Sequence, residues 1–269
     1  MLQEINFRTL GKRKILVAED VAVNQQLVRR IMESWGVEVD IANNGREALL
    51  MLEAQDYDMV LMDIQMPEMD GVEATQRIRS LTDGRKSTIP IVALTANFLK
   101  GDRERYKAAG MNDFLPKPFN ESALFVVVSN NLHPAGNYGT TTVAPPRQEA
   151  APARTPDKLY DLTTVRSMSG GDENFVRSLV QLFVNTTPET LKEMNKEVAQ
   201  HNWEAVGRLA HKIKSAVDAM GIQSVHELLR TISVNGRSGA DTDQLPGLVK
   251  QVVERLEPCL AAIRKDFPA

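Results

Sequence analysis

Cysteine is nearly absent from this sequence: Cys259 stands alone in 269 residues. No internal disulfide can form, and the cysteine usage agrees with a reducing compartment. Long apolar runs are absent as well. No stretch reaches the roughly 18 apolar residues of a membrane span, and Met1 to Lys14 lacks the apolar core of a signal peptide. Nor does one sign of charge dominate, since 32 Lys and Arg face 35 Asp and Glu for a net charge of −3. No Lys/Arg-rich run or aromatic-interleaved basic stripe stands out, so nothing supports a general nucleic-acid binder. These absences predict a cytoplasmic chain, and the composition, 42% hydrophobic and 25% charged over 269 residues, is enough for two ordinary domains.

The first half is organised around Met59-Val60-Leu61-Met62-Asp63-Ile64-Gln65-Met66-Pro67-Glu68-Met69-Asp70-Gly71. An apolar run stops at an aspartate and passes into a turn. Four apolar residues in a row suit a strand buried on both faces of a parallel sheet, and such sheets bind ligands outside the carboxyl ends of their strands. Ile15-Leu16-Val17-Ala18 runs into Glu19-Asp20, Ile91-Val92-Ala93-Leu94 into Thr95, and a weaker run at Phe114-Leu115-Pro116 into Lys117-Pro118. Amphipathic segments of helical period, Val23 to Trp35 and Gly45 to Glu53, lie between runs, so the alternation reads βαβαβ with right-handed crossovers. Three carboxylates, a hydroxyl and an amine then gather at one end of one sheet, with Asp63 as the nucleophile. A lone strand-end aspartate is more often a cap or turn residue, but five coordinated positions reverse that preference.

Glu19-Asp20, Asp63, Thr95 and Lys117, with Met66 to Gly71 and Lys117-Pro118-Phe119, resemble the receiver domain of two-component response regulators over roughly residues 12–133. The resemblance implies a doubly wound, five-stranded parallel sheet of flavodoxin-like topology. Val21 stands where the family often has Asn, although Asn24 fits. The resemblance assigns Asp20, Asp63 and the backbone carbonyl of Gln65 as direct ligands of Mg²⁺, with Glu19 acting through water. That ion suits hard oxygen donors and keeps waters while it meets a phosphoryl oxygen. Thr95 is then expected to donate to one phosphoryl oxygen and Lys117 to pair with another. Gln65 and Asn97 match positions that tune phosphoaspartate hydrolysis. Phe114 matches the aromatic switch that rotates as Thr95 moves inward, and Lys117-Pro118 is expected to be cis.

Residues 1–11 read as a lead-in, and residues 134–157 change to Ala, Pro, Thr, Gly and Gln. The latter is a linker, averaging about 25–30 Å end to end as a flexible chain. Residues 158–269 read as a separate all-α domain, a four-helix bundle. Helical periods cover Asp172–Val184, Pro188–Gln200, Trp203–Met220, Ile222–Ser233 and Leu245–Ile263, with breaks at Thr186-Thr187-Pro188, His201-Asn202, Gly221 and Asn235-Gly236.

At about 100° per residue, Val206, Leu209, Ile213, Ala216, Val217 and Met220 share one arc, and His211 lies opposite its centre. A single helical histidine is ordinarily a packed or surface residue. Here Gly207, Lys214, Ser215 and Asp218 surround it, which predicts a solvent-accessible imidazole with room for a partner and a cation to stabilise added negative charge. The segment Ala210-His211-Lys212-Ile213-Lys214-Ser215-Ala216, followed by Gly221, resembles the histidine phosphotransfer domain of multistep phosphorelays, with Ser215 where that family usually has Gly. His133, His201 and His226 have no such setting and receive structural or solvent roles.

Together the two resemblances imply phosphorelay signalling. Asp63 takes a phosphoryl group from the phosphohistidine domain of an upstream histidine kinase and exchanges it with His211, which serves the receiver domain of a downstream response regulator. The arrangement resembles the C-terminal part of a hybrid sensor histidine kinase; no ATP-binding kinase segment is present, so that part is expected upstream or on another protein. A stand-alone shuttle or phosphate sink is the alternative within signalling. A Mg-dependent phosphatase with an aspartyl nucleophile, like the haloacid dehalogenases, wants a second Asp two residues after the first, where Gln65 stands. A transcriptional regulator would need a DNA-reading domain, and the histidine-bearing bundle takes its place.

Overall fold

The computed structural model describes residues 10–95, 102–132 and 159–268, and the chain divides into two compact units. Most of the lead-in, Asn97, His133 and the linker at 134–157 lie outside the described residues.

In chain order residues 10–132 contain β1 (Lys14–Ala18), α1 (Ala22–Ser34), β2 (Glu38–Ala42), α2 (Gly45–Ala54), β3 (Met59–Asp63), α3 (Gly71–Arg79), a single-turn α4 (Gly84–Ser87), β4 (Ile91–Thr95), α5 (Asp102–Ala109), β5 (Asp113–Pro116) and α6 (Glu121–Leu132). Every strand pairing is parallel, in the order β2-β1-β3-β4-β5. β3 and β4 are buried throughout, which is why they read as unbroken apolar runs. β2 is an edge strand with Glu38 exposed and Asp40 half-buried, so its mixed pattern produced no run in the sequence.

Alternate strand residues Leu16, Ala18, Val60, Met62, Ile91 and Ala93 form one core with Ala48 and Leu52 of α2, Ala74 and Ile78 of α3, and Tyr106 of α5. On α6, Phe125 meets Trp35 edge-to-face at 5.2 Å, and the Trp35 indole N–H donates to Glu121 at 3.1 Å. Helix starts are locally encoded. Asn44 accepts from the Glu47 N–H at 2.8 Å while Glu47 accepts from the Asn43 N–H at 2.8 Å, and Asp70 accepts from the Glu73 N–H at 2.8 Å.

The second unit contains α7 (Thr163–Met168), α8 (Glu173–Ala199), α9 (Trp203–Ala219), α10 (His226–Ser238), a 3₁₀ turn (Thr242–Gln244) and α11 (Leu245–Asp266). Helix α8 packs on α9, α9 on α10, α10 on α11, and α11 back on α8, closing a four-helix bundle. Two expected breaks are absent. Pro188 lies inside the continuous α8; proline forfeits one helical hydrogen bond, but Thr187 is buried and the hydroxyls of Thr186 and Thr190 bond back to the carbonyls of Leu182 and Thr186. Packing thus carries the helix through. Asn235-Gly236 is likewise helical: a Cβ on Gly236 would lie 2.5 Å from the Trp203 carbonyl and 2.8 Å from the Gly207 Cα. That glycine is there for a close crossing of α9 and α10, not to end a helix. The helix expected from Ile222 begins instead at His226, after a loop.

Candidate functional site

The strand register brings the first cluster together. Ala18 pairs with Met62 and Asp63 with Leu94, so Glu19-Asp20 after β1, Asp63 ending β3 and Thr95 ending β4 share one edge of the sheet. β5 delivers Lys117, whose backbone N–H donates to the Thr95 carbonyl at 2.7 Å, and the Lys117–Pro118 peptide is cis. Gly71 lets α3 start against β3. Its N–H donates to the Ile64 carbonyl at 3.0 Å, and a Cβ there would run into the Asp63 carbonyl oxygen.

Asp63 is 2% exposed and Glu19 fully buried. Lys117 Nζ bonds to Asp63 Oδ2 at 2.7 Å and also to Glu19 Oε2, while the Gln65 N–H donates to Asp63 Oδ1 at 3.1 Å. Burial pushes the Glu19 carboxyl up to about 7; Lys117 opposes the shift, and the Asp63 and Asp20 charges add to it. Burial works against the Lys117 charge, but Asp63 and Glu19 outweigh it and hold the ammonium above its ordinary value. Single carboxylate oxygens of Glu19, Asp20 and Asp63 all lie within 4.8 Å of one another. This is a hard-oxygen donor set with excess negative charge, which fits a small divalent cation. The Gln65 side-chain Oε1 is buried without a hydrogen-bond partner among the described residues.

Thr95 is buried, and its hydroxyl lies 3.1 Å from the hydroxyl of Tyr106 on α5. No local pattern signals this pair, because a helical tyrosine reads as core. Phe114 is half-buried, with the Arg103 guanidinium 5.5 Å from its ring centre.

On α9 the structure corrects the expected exposure. His211 is 5% exposed, Lys214 6% and Ser215 8%. Gly207 opens no room for a partner: a Cβ there would lie 3.0 Å from the Arg237 N and 3.1 Å from the Ser233 carbonyl of α10, so α10 closes that side. Lys214 Nζ donates to Asp218 Oδ2 at 2.9 Å, and the other carboxylate oxygen of Asp218 lies 2.7 Å from His226 Nδ1. The i, i+4 spacing of Lys214 and Asp218 was legible. The return of His226 was not, because it depends on the turn at Gly221, where φ is +63°.

Residues 15–129 match the response regulator receiver domain, and residues 178–265 match the Hpt domain. The chain therefore belongs to the proteins that join a receiver domain to a histidine phosphotransfer domain, the pairing of two-component phosphorelay signalling. It is 25% identical over 243 residues to the signal transduction histidine-protein kinase BarA of Shigella flexneri, covering 90% of this chain and 26% of that protein. To the aerobic respiration control sensor protein ArcB of Escherichia coli K12 it is 26% identical over 215 residues, covering 80% of this chain and 27% of that protein. The chain thus spans about a quarter of the length of these relatives. Among solved structures it resembles the magnesium-bound receiver domain of sensor histidine kinase PA1611 from Pseudomonas aeruginosa PAO1, at 39% identity and a TM-score of 0.42, covering 45% of this chain and 98% of that one. Among the described residues, no helix is long and apolar enough to cross a membrane.

Proposed function

We propose that Asp63 and His211 are the two phosphoacceptors of a phosphorelay and exchange a phosphoryl group with each other, fed by a histidine kinase phosphohistidine and discharging to a response-regulator receiver. The observation that carries this reading is Lys117 spanning Asp63 and Glu19 at the carboxyl edge of a parallel sheet. An Asp63 oxygen forms the O–P bond as the donor N–P bond breaks, and the electron pair returns to the donor imidazole. In the second step a neutral His211 ring nitrogen forms an N–P bond, and the electron pair of the broken O–P bond returns to the Asp63 carboxylate. Lys117 moves from Glu19 toward a phosphoryl oxygen, Thr95 donates its hydroxyl to another, and Phe114 reports that movement by rotating. Lys214 places positive charge beside the phosphoryl group on His211.

Asp20, Asp63 and the Gln65 carbonyl are the proposed Mg²⁺ ligands, with Glu19 acting through water; the ion supplies positive charge to the phosphoryl oxygens and offsets the carboxylates. The proposed domain limits are 12–133 and 158–269, joined by the linker at 134–157, and the proposed place of work is the cytoplasm, where histidine kinases phosphorylate their partners.

The test is phosphate-affinity electrophoresis of the full chain with acetyl phosphate, with and without Mg²⁺. Wild type is expected to be labelled only with the ion, and Asp63→Asn not at all. Equal labelling of wild type and Asp63→Asn would sink the assignment.

A further inference from the structure

We propose that Asp218 is a positioning residue for phosphoryl transfer at His211, acting through Lys214 and itself oriented by His226. The inference rests on the reading of His211 as the second phosphoacceptor and names a part of that site the sequence had not assigned.

The geometry begins at the end of α9. Gly221 takes a left-handed conformation, its N–H donates to the Asp218 carbonyl at 3.1 Å, and the Ile222 N–H donates to the Val217 carbonyl at 3.0 Å. This closes the helix and turns the chain back at once. Five residues later α10 opens with His226, and the turn sets its ring on the carboxylate one helical turn from Lys214. Asp218 thus accepts on both oxygens, from Lys214 Nζ at 2.9 Å and from His226 Nδ1 at 2.7 Å. The pair is shielded, with 8% of the Lys214 and 19% of the Asp218 side chain exposed. Burial works against ionisation of Asp218, but the His226 and Lys214 contacts outweigh it and hold the carboxyl below its ordinary value. An ionised carboxylate only accepts, so the Nδ1 of His226 carries the proton.

Two consequences follow for His211, three residues before Lys214 and so its neighbour on α9. A free lysine samples many rotamers, and fixing one is costly when it must happen during the reaction. The Asp218 carboxylate fixes the ammonium beforehand yet occupies one of its three N–H donors, leaving others for a phosphoryl oxygen. His226 in turn holds the carboxylate so that it does not swing away with the lysine. Glu227, whose carboxylate lies 4.0 Å from His226 Nε2 and also accepts from Arg230 Nε at 2.8 Å, is a further charged group at this corner; it is exposed and reaches the opposite edge of the ring.

The test uses the full chain carrying Asp63→Asn, so that label arises only on histidine, with phosphoramidate as donor. Its N–P bond breaks as the His211–P bond forms, and ammonia leaves with the electron pair and a proton. Initial rates are read by phosphate-affinity electrophoresis and the product by ³¹P NMR. Adding Asp218→Asn is expected to slow labelling about tenfold, the low end of losing a hydrogen bond to a charged group. Asp218→Glu, which keeps the carboxylate, is expected to recover most of the rate, and His226→Leu to lie between. In a Lys214→Met background, Asp218→Asn is expected to change nothing further, because its effect passes through the lysine. Circular dichroism confirms that each bundle is folded. An undiminished rate for Asp218→Asn, or a loss that persists in the Lys214→Met background, would overturn the positioning role while leaving His211 as acceptor. Full labelling of a His211→Ala chain would instead overturn the acceptor assignment, and this inference with it.

Discussion

Replacing Lys117 with methionine removes the cation between two buried carboxylates while keeping much of the side-chain volume. Lys117 Nζ stands 2.7 Å from Asp63 Oδ2, an attraction of about 6 kcal/mol at an effective dielectric constant of about 20. The oxygens of Glu19, Asp20 and Asp63 lie at most 4.8 Å apart, so each ionised pair repels by about 3.5 kcal/mol or more on the same scale. Proton uptake and water entry relieve part of this, and the measured loss should fall in the range of about 3–5 kcal/mol seen when one partner of a buried ion pair is removed. With a urea m-value of about 2 kcal/mol/M, the midpoint drops by about 2 M. Trp35 and Trp203 belong to different units, so a Trp203→Phe background isolates the first unit in fluorescence-detected unfolding. The gap is expected to be widest in chelator and to narrow with millimolar Mg²⁺, since binding to the native state stabilises it and the variant has no competing ammonium. A Lys117→Met chain within 1 kcal/mol of its parent in chelator would refute the electrostatic account of this site.

Gly71→Ala should lower the stability of the first unit by about 1–3 kcal/mol through overpacking and reduce acetyl phosphate labelling, since the new methyl meets the Asp63 carbonyl oxygen; wild-type labelling would count against that contact. Gly236→Ala should cost the second unit a similar amount, about 1–3 kcal/mol in a thermal melt, whereas Gly247→Ala, with nothing within 4 Å of its Cβ, should be neutral or slightly stabilising. The Asp218 carboxyl is held below its ordinary value when folded, so its contribution to stability is present above the unfolded value of about 3.9 and is lost as pH falls through the folded one. Urea unfolding of the bundle by circular dichroism should therefore show Asp218→Asn less stable at pH 6, with the gap closing as acid is added; a gap independent of pH would contradict the sign.

The sequence by itself determined the strands that are apolar on both faces, because a run such as Met59 to Met62 has few other places to go in a folded chain, and it determined where those runs stop: at Glu19, Asp63 and Thr95. Helix starts at Asn44 and Asp70 were equally local, since a cap lies within three residues of the N–H it satisfies. Edge strand β2 was less legible, because only one flank is paired and its alternation is mixed. Tertiary packing decided the rest. It carried α8 through Pro188, because a helix packed along one face from Val176 to Met194 tolerates one missing hydrogen bond, and it turned Gly236 from an apparent stop into a contact point for α9. It placed Tyr106 against Thr95 and folded His226 back onto Asp218, pairings between elements whose partner no local pattern names. It also buried His211, because the exposure of a helix face depends on what packs against it, which the periodicity of that helix alone does not specify.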